Sequence, residues 1–399
     1  MHVKLLIVAG NPGLLASTGY NGGGWIGALQ QELQNCYSDS LDMALVHFSE
    51  QYPDTTLNGC RYYTVPLPHK TFWNYERKES VYKLRLQKVV EKENPDVILC
   101  FGTEMPFGLI QDMTNVPVLM HLQGLLTPIY EFLLPHGMSW LSYVSHPRRA
   151  FGAYMWKRNA ARERRILKNI RYVLGRTEWD KRQATLFAPQ ASYFYCSEML
   201  RPAIYDSPKV WKRQERPVRR IISIISKPFY KGADMLLRTA LVLKTQYADT
   251  FQWDVYGISQ AKEMERLSGV NHADVNVNFR GVISAEQLVE AVCQADVFVH
   301  PSYIENSPNT VCEAQLLGIP VVATNVGGTS SIVNHNETGL LVPANDIYLL
   351  AADILELFRN ADLSQTLGAA GRKAALKRHN PSAIAHGLMD IINQVKARP

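Results

Sequence analysis

Short apolar runs rich in β-branched residues recur along the first half of the chain as "VKLLIVAG", "MALVHF", "DVILCFG" and "VPVLMHL", separated by amphipathic or turn-rich stretches. The pattern restarts with "RRIISIIS", "FQWDVYG", "VNVNFRG", "DVFVHPS" and "IPVVATN", alternating with helical stretches such as "GADMLLRTALVLKTQY" and "SAEQLVEAVCQA". A strand period switching repeatedly to a helix period predicts βαβ units, here in two series and so two parallel sheets. Between the series lies "RPAIYDSPKVWKRQERPVRR", rich in Pro and charge and poor in apolar periodicity, as a hinge is. The expected plan is a domain at 1–205, a hinge at 206–217, a second domain at 218–380, and a C-terminal helix at 381–399 packing back on the first domain. "NPSAIAHGLMDIINQVKA" supplies that helix, with Asn-Pro as its start signal.

Ligands of open parallel sheets bind beyond the carboxyl ends of the strands, so the chemistry is sought in strand-to-helix loops. The segment "HPSYIENSPNTVCEAQLLGIPVVATNVGGTSSIV" leaves a strand at His300, passes Glu305, and reaches Ser307-Pro308, a cap and first-turn pair that predicts a helix start near Ser307. Backbone N–H groups at Asn309 and Thr310 then offer a diphosphate the positive end of the helix. Glu313, one turn further on, shares their face and suits a ribose diol. Either glutamate alone reads as an ordinary solvated charge; the pair, with Gly327-Gly328 and "NETGLLVPAND" following, is more specific.

This run resembles the EX7E signature of the retaining glycosyltransferases of family 4. The resemblance implies a GT-B fold, two Rossmann-like doubly wound domains facing a central cleft. It also implies that Glu305 contacts the donor sugar and Glu313 the nucleotide ribose. "SIISKPFYKGADMLLRTA" looks like the family's diphosphate-gripping loop, with Lys231 at its lysine. The usual arginine is replaced by Ser226, and Lys227 next to it is the expected substitute; Ser331 stands where the family usually has a glutamate. In the first half, Gly22, Gly23 and Gly24 match the loop that meets the donor phosphate and acceptor, and His121 the position near the sugar. Arg176 and Glu178 fall in a similar segment at the end of the first domain. On this reading Glu305, Lys231 and His121 are catalytic, while Glu313, Lys227, Asn309, Thr310, Ser307, Gly23, Gly24 and Arg176 hold the donor.

Composition narrows the classes further. Of 399 residues 46% are hydrophobic and 20% charged, without an apolar run of about 18, which is an ordinary globular balance and not a membrane span. Six cysteines lie scattered without a CxxC pair, which fits a reducing cytoplasm. No Asp-x-Asp pair or His/Cys cluster suggests a metal, so the expected cofactor is none beyond the nucleotide-sugar donor, and no nucleic-acid partner is implied. The net charge is +6, and "PRRAFGAYMWKRNAARERRILKNIR" at 147–171 holds nine Arg or Lys with one Glu. Basic, aromatic and helical together, this stretch points to an anionic membrane surface or a diphosphate-linked acceptor at 148–171, with a solvated basic helix as the plain alternative. The expected activity is retaining, metal-independent transfer to a hydroxyl acceptor, in bacterial surface polysaccharide or lipid-linked oligosaccharide synthesis. Its site would be cytoplasmic, peripheral at the inner face of the membrane. A sugar-nucleotide epimerase and a non-catalytic nucleotide-sugar-binding protein are the alternatives.

Overall fold

The computed structural model describes residues 2–16, 24–48, 51–65, 75–134, 137–247 and 250–397. Two compact units emerge. The first contains 1–127, 156–201 and 379–399, and the second 128–155 and 202–378.

The first unit is built on β1 (Val3–Val8), β2 (Leu41–His47), β3 (Thr55–Leu57), β4 (Cys60–Thr64), β5 (Val97–Phe101), β6 (Val118–His121), β7 (Tyr172–Gly175) and β8 (Ser192–Tyr195), in the order β3-β4-β2-β1-β5-β6-β7-β8. All pairings are parallel except β3 with β4, a short antiparallel edge. Strand alternation is visible in the core: Val3, Leu5 and Ile7 point into one buried cluster, Leu6 and Val8 into another. Both faces are covered, which is why these strands read as continuous apolar runs. The first cluster is closed by Ile384, Leu388, Ile391, Ile392 and Val395 from the helix Pro381–Lys396, capped by Asn380, whose side chain accepts from the Ala383 amide.

The second unit carries β9 (Arg219–Ile224), β10 (Phe251–Tyr256), β11 (Val277–Gly281), β12 (Val297–His300), β13 (Val321–Thr324) and β14 (Leu340–Val342), all parallel, in the order β11-β10-β9-β12-β13-β14. The chain thus winds outward one way from β9 to β11, then jumps back to β12 and winds the other way. The point of reversal, between β9 and β12, is where a crevice opens beyond the strand ends. In the first unit the same reversal falls between β1 and β5.

One segment inside the stretch read as N-terminal domain, 128–155, clusters with the second unit. Met138, Tyr143 and Ala153 form a small core there with Leu267, and Arg149 is ion-paired to Glu263. Such a crossing depends on contacts far apart in sequence and leaves no local signal. The basic stretch also needs correcting. It is a helix, Pro147–Asn169, but Arg162 is buried, donating to the Glu104 carbonyl at 2.6 Å with its guanidinium 3.7 Å from Glu79. Its neighbour Glu163 is buried too, accepting from Thr103 Oγ1 and from the amides of Leu126 and Thr127. Arg165 pairs with Glu79 at 2.7 Å. Part of this charge is therefore internal to the fold, and Arg162 is not available to a surface.

Candidate active site

The β9–β12 reversal gathers the loops that follow both strands. Ile225–Lys231 follows β9 and ends at Gly232, whose φ of +72° puts it in the left-handed region. A Cβ there would lie 1.9 Å from the Pro301 carbonyl oxygen, so only glycine lets the two loops approach this closely. They are tied by Tyr303 N–H to Tyr230 O at 2.8 Å and by Tyr303 Oη to Asp234 Oδ2 at 2.8 Å. On the other side Gly327, with φ of +53°, would place a Cβ 1.7 Å from the Glu305 carbonyl oxygen, which instead accepts from the Gly328 amide at 3.0 Å. Thr324 Oγ1 bridges the carbonyls of His300 and Ser302 at 3.3 and 2.5 Å. The backbone around Glu305 is fixed from three sides.

The Glu305 side chain is fixed as firmly. Its Oε1 is ion-paired with Lys231 Nζ and takes contacts from His300 Nε2 and Ser302 Oγ, each at 2.9 Å. Burial opposes ionisation, but the Lys231 charge and the His300 hydrogen bond outweigh it and hold this carboxyl down at about 2. An ionised carboxylate only accepts, so His300 meets it with a proton on Nε2. None of these three contacts uses Oε2.

Beyond the loop, the helix Asn309–Leu317 begins one step later than the Ser-Pro pair predicts. Pro308 is the cap residue, its carbonyl accepting from Val311 and Cys312, and no side chain caps the helix. Ser307 lies buried before it and is not the cap. Asn309 and Thr310 form the first turn; Glu313, 5% exposed, stands in the second on their side. Glu305, Lys231, Ser307, Asn309, Thr310 and Glu313 thus belong to the loops and helix that leave β9 and β12. Lys227 is in the same loop as Lys231, whose amide donates to its carbonyl at 3.2 Å, and its side chain is exposed, as is Ser226.

The remaining predicted residues belong to the first unit. His121 ends β6, buried, with Nδ1 2.8 Å from Gln123 Nε2 and its ring against Trp25 and Phe101. Because an amide nitrogen donates, Nδ1 accepts; burial and the Arg176 charge hold the imidazole down at about 3, so it is neutral. Arg176 follows β7, buried, ion-paired with fully buried Glu198 and donating to the Gln123 carbonyl at 2.7 Å. Glu178 is an exposed charge beside Lys181. Gly24, with φ of +61°, opens the helix Gly24–Tyr37; Gly22 and Gly23 lie outside the described residues.

Three groups escaped the sequence reading. His300 and Ser302 position Glu305; the signal was a histidine closing an apolar strand directly before the Ser-containing loop. Glu104 follows β5, at the reversal point of the first sheet, where burial and the Glu163 charge push its carboxyl up to about 7 against the pull of Arg176.

Residues 219–360 match the model of the family described as glycosyl transferases group 1. A D-inositol 3-phosphate glycosyltransferase of an Arthrobacter species is 36% identical over 150 residues, 37% of this chain and 35% of that protein. A GDP-mannose-dependent alpha-(1-6)-phosphatidylinositol monomannoside mannosyltransferase of Mycobacterium tuberculosis is 26% identical over 224 residues, 53% of this chain and 58% of that one. The chain therefore spans only about a third to three-fifths of the length of these curated relatives. Among solved structures, sucrose-phosphate synthase from Thermosynechococcus elongatus aligns over 100% of both chains with a TM-score of 0.75 at 18% identity, a likeness of fold. The fold is of the GT-B class.

Proposed function

We propose, for a chain whose residues 219–360 match the group 1 glycosyltransferases, that it transfers a glycosyl group from a nucleotide-diphosphate sugar to a hydroxyl acceptor. The products would be a polysaccharide or glycolipid. The observation that carries this reading is the ion-paired Lys231 and Glu305 at the β9–β12 reversal, beside a helix N-terminus with Glu313 one turn in. Glu313 accepts from the ribose diol. The helix end and Lys231, which has N–H groups beyond the one on Glu305, face the diphosphate, with Lys227 adding a second charge. As the bond from the anomeric carbon to the phosphate oxygen breaks, negative charge grows on the diphosphate, and these groups are already oriented toward it. Glu305 Oε2 holds a donor hydroxyl.

We assign retention of configuration. The acceptor oxygen bonds to the anomeric carbon on the face the phosphate leaves, and its proton passes to the departing phosphate oxygen. No glutamate becomes a nucleophile and no metal is required. His121 and Glu104, at the strand ends of the first unit, are its candidates for meeting the acceptor. Gly23, Gly24 and Arg176 complete the donor set by resemblance, Arg176 with its guanidinium already committed to Glu198. A lipid-linked acceptor is supported by the mycobacterial relative, whose name specifies a phosphatidylinositol mannoside. Membrane association would be peripheral; no described helix is long and apolar enough to cross a membrane.

The test is incubation with a panel of UDP- and GDP-sugars and hydroxyl acceptors, including D-inositol 3-phosphate and phosphatidylinositol. Product with the donor's anomeric configuration, read by proton NMR, is expected. Rearranged donor without acceptor would mark an epimerase, and binding without turnover a non-catalytic protein.

A further inference from the structure

Between Glu131 and Glu163 the sequence contains no carboxylate, while Arg148, Arg149, Lys157, Arg158 and Arg162 give the intervening stretch five positive charges. Within it the short helix Trp140–Val144 is capped by Ser139, whose hydroxyl accepts from the Ser142 amide. One residue of this helix, Tyr143, turns inward onto Met138 and Ala153. Arg149 lies over the Tyr143 ring and is tied to Glu263, so this side is anchored. The adjoining face is apolar and largely open, although the Trp140 ring packs edge-on against Tyr143 with centroids 5.7 Å apart. Trp140 is 44% exposed, Leu141 83% and Val144 38%, and helical spacing at i, i+1 and i+4 sets all three on one side. Phe132 and Phe151, each 41% exposed, lie on the flanking segments, and Arg148 is exposed between Val144 and Phe151.

A large aliphatic side chain left this open in water gains nothing within the fold. Aromatic and aliphatic tips flanked by exposed Arg148, in a stretch without a carboxylate from Phe132 to Arg162, complement one surface in particular, where acyl chains lie beneath anionic headgroups. Indole and phenol rings favour that depth.

We propose that Trp140, Leu141, Val144 and Phe151 insert into an anionic lipid bilayer, with Arg148 on the headgroups. The site differs from the basic stretch as a whole: buried Arg162 and Arg165 paired with Glu79 take little part. The inference rests on the transferase reading only for its purpose, delivery of the enzyme to a lipid-linked acceptor.

The experiment is co-sedimentation of the full chain with vesicles of phosphatidylglycerol and phosphatidylcholine, and of phosphatidylcholine alone, without substrates. Wild type binds the anionic vesicles at low salt and is released as salt rises, because exposed charges are screened beyond about 10 Å at 0.1 M. Leu141→Ser with Trp140→Ser lowers the partition coefficient about tenfold or more, through lost apolar burial. Arg148→Glu lowers it at least about fivefold. Arg164→Glu, exposed further along the same helix, stays within about twofold. All of these substitutions are on the surface, and unchanged melting temperatures check the fold. Wild type that ignores anionic vesicles overturns the proposal, as does an equal loss for Arg164→Glu. So does a dimer seen by light scattering without vesicles and dissolved by Leu141→Ser, since a second copy would then be the occupant. Because no substrate is present, failure here leaves the transferase reading standing, and absence of glycosyl transfer leaves this result standing.

Discussion

The Lys231 ammonium and the Glu305 carboxylate are ion-paired across 74 residues of sequence, one in the loop after β9, the other in the loop after β12. The pair ties together the two loops at the reversal point of the second sheet. It also leaves Glu305 with one oxygen outside the internal network.

Its electrostatics give a sign. The folded carboxyl, at about 2, is below its ordinary 4.5, so its stabilising contribution is fully present above pH 4.5 and disappears as the pH falls toward 2. Glu305→Gln should cost on the order of 3 kcal/mol near neutrality. The gap in melting temperature between variant and wild type should close between pH 4.5 and about 2. A gap of constant size would show that the contacts contribute without regard to charge.

The two loop glycines should be irreplaceable. Gly327→Ala and Gly232→Ala combine a left-handed φ with a Cβ under 2 Å from a carbonyl oxygen, so each should lower the melting temperature or prevent folding. Gly387→Ala is the control: it lies on the C-terminal helix with open space around its Cβ, and alanine there should stabilise by about 0.5 to 1 kcal/mol. Equal behaviour at all three positions would contradict the loop packing.

Arg176 and Glu198 form a buried pair, and breaking one leaves an uncompensated charge. Glu198→Gln or Arg176→Met should destabilise by about 3 to 5 kcal/mol. Denaturant unfolding measures this directly. Full stability in either variant, with nucleotide affinity lost, would instead make Arg176 a donor ligand.

In the proposed mechanism Lys231 and a helix end do the work of a divalent ion. Turnover should survive EDTA, and Lys231→Ala should reduce it by about a hundredfold or more. Loss of activity in EDTA with recovery on adding magnesium or manganese would contradict this.

Much of this was legible in the chain. Residues covered on both faces of a parallel sheet must be apolar throughout, so "VKLLIVAG" and "DVFVHPS" announced their strands, and the Glu305–Glu313 spacing singled out the loop and helix that follow β12. β8 was less legible, because this edge strand is half-buried and carries no continuous apolar run. Arg162 read as a surface charge because helix composition alone does not tell which face turns inward; that was decided by Glu79 and the Glu104 carbonyl, from elsewhere in the chain. His300 escaped because its role exists only once the loop folds back to bring Glu305 onto its ring. The cap moved one residue, from Ser307 to Pro308, whose carbonyl takes the Val311 and Cys312 amides.

Calorimetric titration of UDP and GDP into wild type and Glu313→Ala tests the central claim most directly. Glu313 lies one turn inside the helix whose N-terminus is proposed to meet the diphosphate, and losing a hydrogen-bonded carboxylate costs about 1.5 to 3 kcal/mol. The account predicts that wild type binds one of the two nucleotides and that Glu313→Ala weakens it by about 10- to 150-fold with the melting temperature nearly unchanged. Equal affinity in both proteins, or no binding of either nucleotide by wild type, would contradict it.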